Sequence, residues 1–393
     1  MAYICIDFEL SLFMSDIQMV DLNGQYQHIQ TEIDQAVLDV IRSTAYINGP
    51  EVKSFQSELE TYLNIKHVIP CANGTDALQI AMMALDLKPG DEVITPNFTF
   101  IATVEVIALL GLKPVIVEVD PHTFNMDPEA VKAAITSKTK VIAPVHLFGQ
   151  CADMDSILAI AKEHNLFVIE DTAQAVSSHY TLGNGDTHRA GTMGDFGCTS
   201  FFPSKNLGCF GDGGALYTNN DELAEKARQV ANHGMKVRYH HDFVGVNSRL
   251  DSIQAAILRI KLRHLDSYCQ ARINAADFYD QAFANIEELQ TPVRDSKSTH
   301  TFHQYTLKTK KIDRTGLQSH LMSQGIPAMI YYPIPLHVQV AFKDLGYQKG
   351  DFPVTEQLCL EVISLPMHTE LSEEQLVRIT SAVIEYIEQH RTS

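Results

Sequence analysis

The chain reads as an α/β protein: a mostly parallel sheet covered by helices on both faces makes a large domain, and a smaller α+β domain follows it. Two observations predict this. Between about His67 and Ile169, short apolar runs alternate with amphipathic stretches, the strand-helix rhythm of crossover units on a parallel sheet. Beyond Leu250 that rhythm stops and one long helical stretch leads to a region of different pattern. A third observation sets the scale: 393 residues, 45% hydrophobic and 20% charged, suffice for two domains with a sizeable core.

Taken in order, the stretch from Gln27 to Ser43 carries Ile29, Ile33, Val37, Val40 and Ile41 at helical spacing and ends at the breaker Asn48-Gly49-Pro50. Strands are expected at His67 to Pro70, Glu92 to Thr95, Pro114 to Val117, Val141 to Val145 and Leu166 to Ile169. Helices are expected between them, at Asp76 to Leu85, Phe100 to Leu110, Pro128 to Ile135 and Asp153 to His164. Strands at Phe196 to Phe202 and Gly214 to Thr218 then flank a glycine loop, and a helix follows at Asp221 to Asn232. The long helix starts near Leu250 and runs toward Phe283. A strand at Phe302 to Lys308 and a helix at Thr315 to Gln324 come next, and Ser372-Glu373-Glu374-Gln375 forms a capping box ahead of a last helix. The expected division is an N-terminal arm at 1–20, a large domain at 21–270 and a small domain at 271–393. Met14 precedes Ser15-Asp16, so the residues before it read as an upstream start or a poorly ordered arm.

The formal net charge of -18 excludes a sequence-independent grip on nucleic acid, which needs dense Lys and Arg. No apolar run reaches membrane-spanning length, and the first ten residues lack a basic leader. The seven cysteines are scattered without a Cys-x-x-Cys pair or zinc spacing, which points to reduced thiols in a cytoplasmic protein and to no metal site.

Four local patterns carry chemistry. Lys205 sits in Ser200-Phe201-Phe202-Pro203-Ser204-Lys205-Asn206-Leu207-Gly208, running on to Gly211 and Gly213-Gly214, where glycines let backbone approach a bulky ligand. A desolvated lysine becomes a nucleophile toward an aldehyde near neutral pH. Val168-Ile169-Glu170-Asp171-Thr172-Ala173-Gln174 puts an acid at a strand end, suited to keeping a pyridine nitrogen protonated, with Gln174 in reach of the ring's phenolic edge. In Cys71-Ala72-Asn73-Gly74-Thr75-Asp76, the amides of Thr75 and Asp76 open a helix and so suit a phosphate, Asp76 acting through its backbone. Asn97-Phe98-Thr99-Phe100 offers an aromatic to lie on the ring. Singly, each has an ordinary reading as turn lysine, helix cap, capped helix start or core aromatic. Together, in this order, they are what pyridoxal phosphate requires.

At this point the chain resembles fold-type I aminotransferases, specifically the DegT/DnrJ/EryC1/StrS nucleotide-sugar aminotransferase family, over roughly Val20 to Glu388. The resemblance implies a seven-stranded-type sheet and a pyridoxal 5'-phosphate cofactor. Lys205 is then the lysine bonded to the cofactor and Asp171 the partner of the pyridine nitrogen. Gln174 lies near the ring hydroxyl, Gly74, Thr75 and Ser200 hold the phosphate, and Phe100 stacks on the ring. Asn247, in Val244-Gly245-Val246-Asn247-Ser248-Arg249, matches the asparagine that reaches a neighbouring subunit's phosphate, which implies a homodimer with shared sites. Sister enzymes that dehydrate sugars have histidine in place of the lysine, so Lys205 favours transamination. The runs Arg238-Tyr239-His240-His241, Gly245 to Asp251 and Tyr331-Tyr332-Pro333 look most like enzymes that aminate C3 of UDP-2-acetamido-2-deoxy-3-keto-glucuronate for surface polysaccharide and O-antigen, with L-glutamate as donor. Many relatives carry His-Tyr-Pro where this chain has Tyr331-Tyr332-Pro333. Arg249, Tyr332 and Arg238 are the sugar-contact candidates, an arginine being able to hold a uronate carboxylate through two hydrogen bonds. The alternatives are a dTDP-linked 3-keto or 4-keto 6-deoxy sugar, a lyase or dehydratase on the same fold, and a regulatory protein with a dead site.

Overall fold

The computed structural model describes residues 17–390. The arm expected at 1–20, Met14 and Cys5 included, therefore lies almost wholly outside the described residues. Helix α1 (Leu22–Ser43) is capped by Asp21, whose carboxylate accepts the Gly24 N–H at 2.8 Å. Helix α2 (Pro50–Leu63) was not expected. Its Pro50 occupies the first turn, where a missing N–H costs nothing, so the run read as a stop for α1 is also a start.

The large sheet follows: β1 (His67–Cys71), α3 (Gly74–Ala84), β2 (Glu92–Pro96), α4 (Ala102–Leu109), β3 (Lys113–Val117), α5 (Pro128–Ala134), β4 (Thr139–Ile142), α6 (Met154–His164) and β5 (Phe167–Asp171). A small hairpin, β6 (His179–Thr181) and β7 (Thr187–Arg189), precedes β8 (Phe196–Ser200), β9 (Gly214–Thr218) and α7 (Asp221–Ala231). The seven strands run in the order β1-β9-β8-β5-β4-β2-β3. Only β9 runs against its neighbours, so the sheet is mostly parallel, as expected. Adjacent residues of one strand feed opposite faces: Val93, Val141 and Ile169 pack with α3, α4 and α7, whereas Ile94, Ile142 and Val168 pack with α5 and α6. The carboxyl ends of β1, β2, β5 and β8 and the start of β9 therefore share one edge, and each of the four chemical patterns leaves from it.

An exposed hairpin, β10 (Met235–Val237) and β11 (His240–His241), leads to the long α8 (Ser252–Phe283). Its first part buries Leu258, Leu262 and Leu265 against Leu59 and Leu63 of α2. Its last part buries Ala275, Tyr279 and Phe283 in a second core. That core is closed by the antiparallel sheet β12 (Leu289–Gln290), β13 (Tyr305–Thr309) and β14 (Val362–Leu365), by α9 (Arg314–Ser323) and by α11 (Glu373–His390). Helix α10 (Pro353–Glu361) precedes β14. Strand β13 begins three residues later than expected because Thr301 and His303 donate their N–H groups to Gly149 and Phe148 carbonyls of the large sheet's loops instead. The capping box forms as read, Ser372 Oγ accepting from Gln375 N–H and Gln375 Oε1 from Ser372 N–H.

Candidate active site

The anion cup starts with Asn73, whose Oδ1 accepts the Asp76 N–H at 2.8 Å and caps α3. This corrects the expected part of Asp76: its amide is already engaged, and its carboxylate accepts from Ser248 Oγ at 2.6 Å. The free amides of the first turn are those of Gly74 and Thr75. Gly74 has to be glycine, since a Cβ there would lie 2.6 Å from the Ser200 Cβ. Gly214 is equally confined, its Cβ falling 2.4 Å from the Asn73 backbone. The start of α3 thus closes onto Ser200 at the end of β8, and the two supply N–H and O–H donors to one spot. Residues that fit a phosphate monoester are in place.

Lys205 follows on the glycine loop, its N–H donating to Phe202 O at 2.9 Å. Burial brings its amine down to about 8, the Asp171 carboxylate pulling the other way. Asp171 ends β5 and is buried. Its Oδ2 accepts from Thr103 Oγ1 at 2.8 Å and its Oδ1 from the Ala173 N–H at 3.0 Å. The preceding residue points to the other face: Glu170 is fully buried and accepts three backbone N–H groups, from Gly191, Met193 and Gly194, besides a bond with His146 Nε2 at 2.8 Å. His146 Nδ1 accepts from the Ala152 N–H, so the ring's proton sits on Nε2 and donates to Glu170. This network fixes the strand end from which Asp171 projects.

Gln174 Oε1 accepts from the Phe148 N–H at 2.8 Å, and its Nε2 donates to the Tyr332 hydroxyl at 3.1 Å. Tyr332 in turn lies on Phe148, with ring centres 6.5 Å apart, and beside Phe98 and Phe100. It was expected only as a sugar contact, and the fold seats it against the predicted ring site. Phe100 is 56% exposed and stands at the lip of this aromatic wall, where a ring could cover it.

The remaining candidates come from the loop after β11. Asn247 is exposed, and its neighbour Ser248 donates to Asp76 and accepts from the Ala72 N–H, which anchors the loop beside α3. Arg249 is partly buried and makes no ion pair among the described residues. Arg238 is exposed at the hairpin tip with its guanidinium 4.9 Å from the Tyr239 ring centre, so this chain's own fold does not bring it to Lys205. One site residue escaped sequence reasoning, Thr103. Thr103 lies 68 residues from the carboxylate it orients, and no local pattern marks it. Among the described residues no helix is long and apolar enough to cross a membrane.

Comparison with known proteins bears on this geometry. A model of the DegT/DnrJ/EryC1/StrS aminotransferase family matches residues 27–384. A protein named pleiotropic regulatory protein from Geobacillus stearothermophilus is 47% identical over 94% of this chain and 98% of its own length. The UDP-2-acetamido-2-deoxy-3-oxo-D-glucuronate aminotransferase of Pseudomonas aeruginosa is 45% identical, covering 93% and 99%. The dTDP-3-amino-3,6-dideoxy-alpha-D-galactopyranose transaminase of Aneurinibacillus thermoaerophilus is 43% identical, covering 94% and 99%. Among solved structures, DesV of S. venezuelae superposes with a TM-score of 0.91 at 38% identity over 96% of this chain and all of that one. NtdA of Bacillus subtilis with bound cofactor PMP gives 0.85 at 32% identity, covering 94% and 83%.

Proposed function

We propose, for a chain that belongs to the DegT/DnrJ/EryC1/StrS family of pyridoxal phosphate-dependent nucleotide-sugar aminotransferases, a ping-pong transfer of the amino group of L-glutamate to C3 of UDP-2-acetamido-2-deoxy-3-keto-glucuronate. The product serves surface polysaccharide such as O-antigen. The observation that carries the amino-transfer reading is a partly buried lysine amine, held near 8, on the same sheet edge as a buried carboxylate and a glycine-lined anion cup.

When bound, pyridoxal phosphate supplies an electron sink for negative charge at the donor's α-carbon. The Gly74 and Thr75 N–H groups and the Ser200 hydroxyl hold its phosphate. Asp171, steadied by Thr103, holds a proton on the pyridine nitrogen. Gln174 and the aromatic wall of Tyr332 and Phe100 fix the ring plane and exclude water. Lys205 Nζ would take the proton from the donor's α-carbon in the first half of the cycle and would return a proton to C3 of the sugar in the second. Exposed Asn247 completes the phosphate site of a second copy, which makes the working unit a homodimer, and the assembly works in the cytoplasm.

C3 as the site of amination is supported by relatives whose names place the amino or keto group at C3 on both UDP and dTDP sugars. The uronate rests on Arg249, partly buried and without an ion pair among the described residues. A guanidinium that pairs with a carboxylate is worth about 1.5–3 kcal/mol, so a 3-keto uronate is preferred over 6-deoxy keto sugars by about tenfold or more in kcat/KM. Specificity constants on enzymatically generated keto sugars test this. Equal or better turnover of the dTDP-linked 6-deoxy sugar would replace the uronate by that substrate and leave amino transfer standing.

A further inference from the structure

The chain just beyond Tyr332 is fastened to the sheet edge through one buried pair, Asn97 and His337, each 1% exposed. Asn97 follows the last residue of β2, and its N–H donates to the Val117 carbonyl at the end of β3 at 3.0 Å. Its side chain is spent wholly on His337: Oδ1 accepts the His337 backbone N–H at 3.1 Å, and Nδ2 lies 2.8 Å from the ring's Nδ1. A backbone N–H can only donate, so it fixes the amide's orientation, and Nδ1 must accept from Nδ2. The ring proton therefore sits on Nε2 and donates to Glu356 of α10 at 3.1 Å. Glu356 also accepts the Gly350 N–H at 2.6 Å, the chief reason its carboxyl lies below its ordinary range. Phe352 covers the imidazole, with ring centres 4.7 Å apart. Glu118, next after β3, accepts the Val354 and Thr355 N–H groups and so ties the start of α10 to the same sheet.

Only Pro333 to Leu336 separate this clamp from Tyr332, and two of those four residues are prolines. A proline holds φ near about −65°, so the span is stiff and passes a displacement at His337 on to Tyr332. Leu336 is buried with Val104, Ile116 and Phe342, which seats the span from its apolar side. Phe98, the residue after Asn97, meets the Tyr332 ring edge-on with centres 6.1 Å apart. Asn97 thus reaches Tyr332 by two routes, through its neighbour Phe98 and through His337. A buried polar network whose members are all paired specifies one geometry, which the burial of Leu336 alone does not. We infer that His337 is a positioning residue for Tyr332: bridged between Asn97 and Glu356, its imidazole fixes the far end of the proline span and so keeps the Tyr332 ring on Phe148 and its hydroxyl at Gln174. The inference rests on the ring site given to Tyr332 and Gln174 above.

The test uses the full-length protein and follows nitration of individual tyrosines by tetranitromethane, read by mass spectrometry. His337→Leu removes both ring bonds and should speed nitration of Tyr332 about three- to tenfold, the weight of roughly one hydrogen bond. Tyr279 and Tyr305, fully buried in the small core, should stay protected. His337→Asn, whose Oδ1 stands near the Nδ1 position and can accept from Asn97, should restore most of the protection at Tyr332. Should the leucine variant fail to fold, His337→Gln serves: it keeps a donor for Glu356 without an acceptor at the Nδ1 position, and should expose Tyr332 where asparagine does not. The second readout is the Kd for pyridoxal phosphate. Tyr332→Ala and His337→Leu should each raise it, and the double variant should bind no more than about 1.5-fold more weakly than Tyr332→Ala alone, since the histidine acts through the tyrosine. Equal nitration of Tyr332 in the parent and every variant overturns the inference. So does faster nitration of Tyr332, Tyr279 and Tyr305 together, which would make His337 a general brace of the small core, and so do Kd effects that multiply. Because nitration needs neither cofactor nor turnover, a failure of the proposed reaction would show separately.

Discussion

Replacing Gly74 by alanine should loosen the cofactor far more than it loosens the fold. The new Cβ would stand 2.6 Å from the Ser200 Cβ, 3.1 Å from its Cα and 3.3 Å from its Oγ. Ordinary carbon contacts lie at about 3.5–4.0 Å, so α3 and the end of β8 must part by about 1 Å. Donors that converge on one phosphate at about 2.7–3.2 Å cannot follow a displacement of that size. Loss of one hydrogen bond to a charged group, about 1.5–3 kcal/mol, corresponds to a Kd for pyridoxal phosphate raised about 10- to 100-fold. Overpacking itself costs about 1–3 kcal/mol of stability. Absorbance titration of the cofactor-free protein with pyridoxal phosphate, beside a denaturant melt, reads both quantities. Gly183→Ala is the control, because its nearest neighbour would be Asp155 Oδ1 at 3.6 Å on an exposed turn. A folded Gly74→Ala protein that binds within about twofold of the parent would refute the cup, since that difference is what an unconnected surface change produces.

Lys205→Ala should fold and melt near the parent temperature while losing covalent capture of the cofactor and turnover together; retained glutamate-dependent activity would remove Lys205 from the mechanism. Capture of pyridoxal phosphate by the cofactor-free parent should speed up as pH rises, because the free amine attacks, with a midpoint near the 8 to which burial lowers Lys205. A rate still climbing steeply above roughly pH 9 would mean an ordinary, solvated lysine. Asn247→Ala should retain cofactor poorly, and mixing it with Lys205→Ala should restore some activity, since one site of a mixed dimer has both residues. No recovery despite proven subunit exchange would count against a shared site.

What could be read in advance was what is local in the chain. The alternation of Val93 and Ile94, or of Val141 and Ile142, fixes strands buried on both faces, and the capping pair Ser372 and Gln375 needs only a three-residue spacing. The strand-end patterns at Asn73, Asp171 and Ser200 stood out for the same reason. Helix α2 was lost because Pro50 ends one helix pattern and begins another. The pairing of Gln174 with Tyr332, 158 residues apart, and the bond from Asn206, next to Lys205, to the Thr301 carbonyl depend on how the small core docks on the sheet edge, which no local periodicity encodes. Arg238 looked like part of the same site from its neighbours in sequence, but it rides on an exposed hairpin.

The central claim is that this chain moves an amino group through Lys205 and its cofactor. The most direct measurement is the first half-reaction: purified, pyridoxal phosphate-loaded enzyme is mixed with L-glutamate in the absence of any sugar. The account predicts that the visible absorbance of the bound cofactor bleaches and that one 2-oxoglutarate appears per active site, then stops. Persistence of the absorbance with glutamate and with every other amino acid, and no matching 2-oxo acid formed, would contradict it and leave the lyase or the regulatory reading in its place.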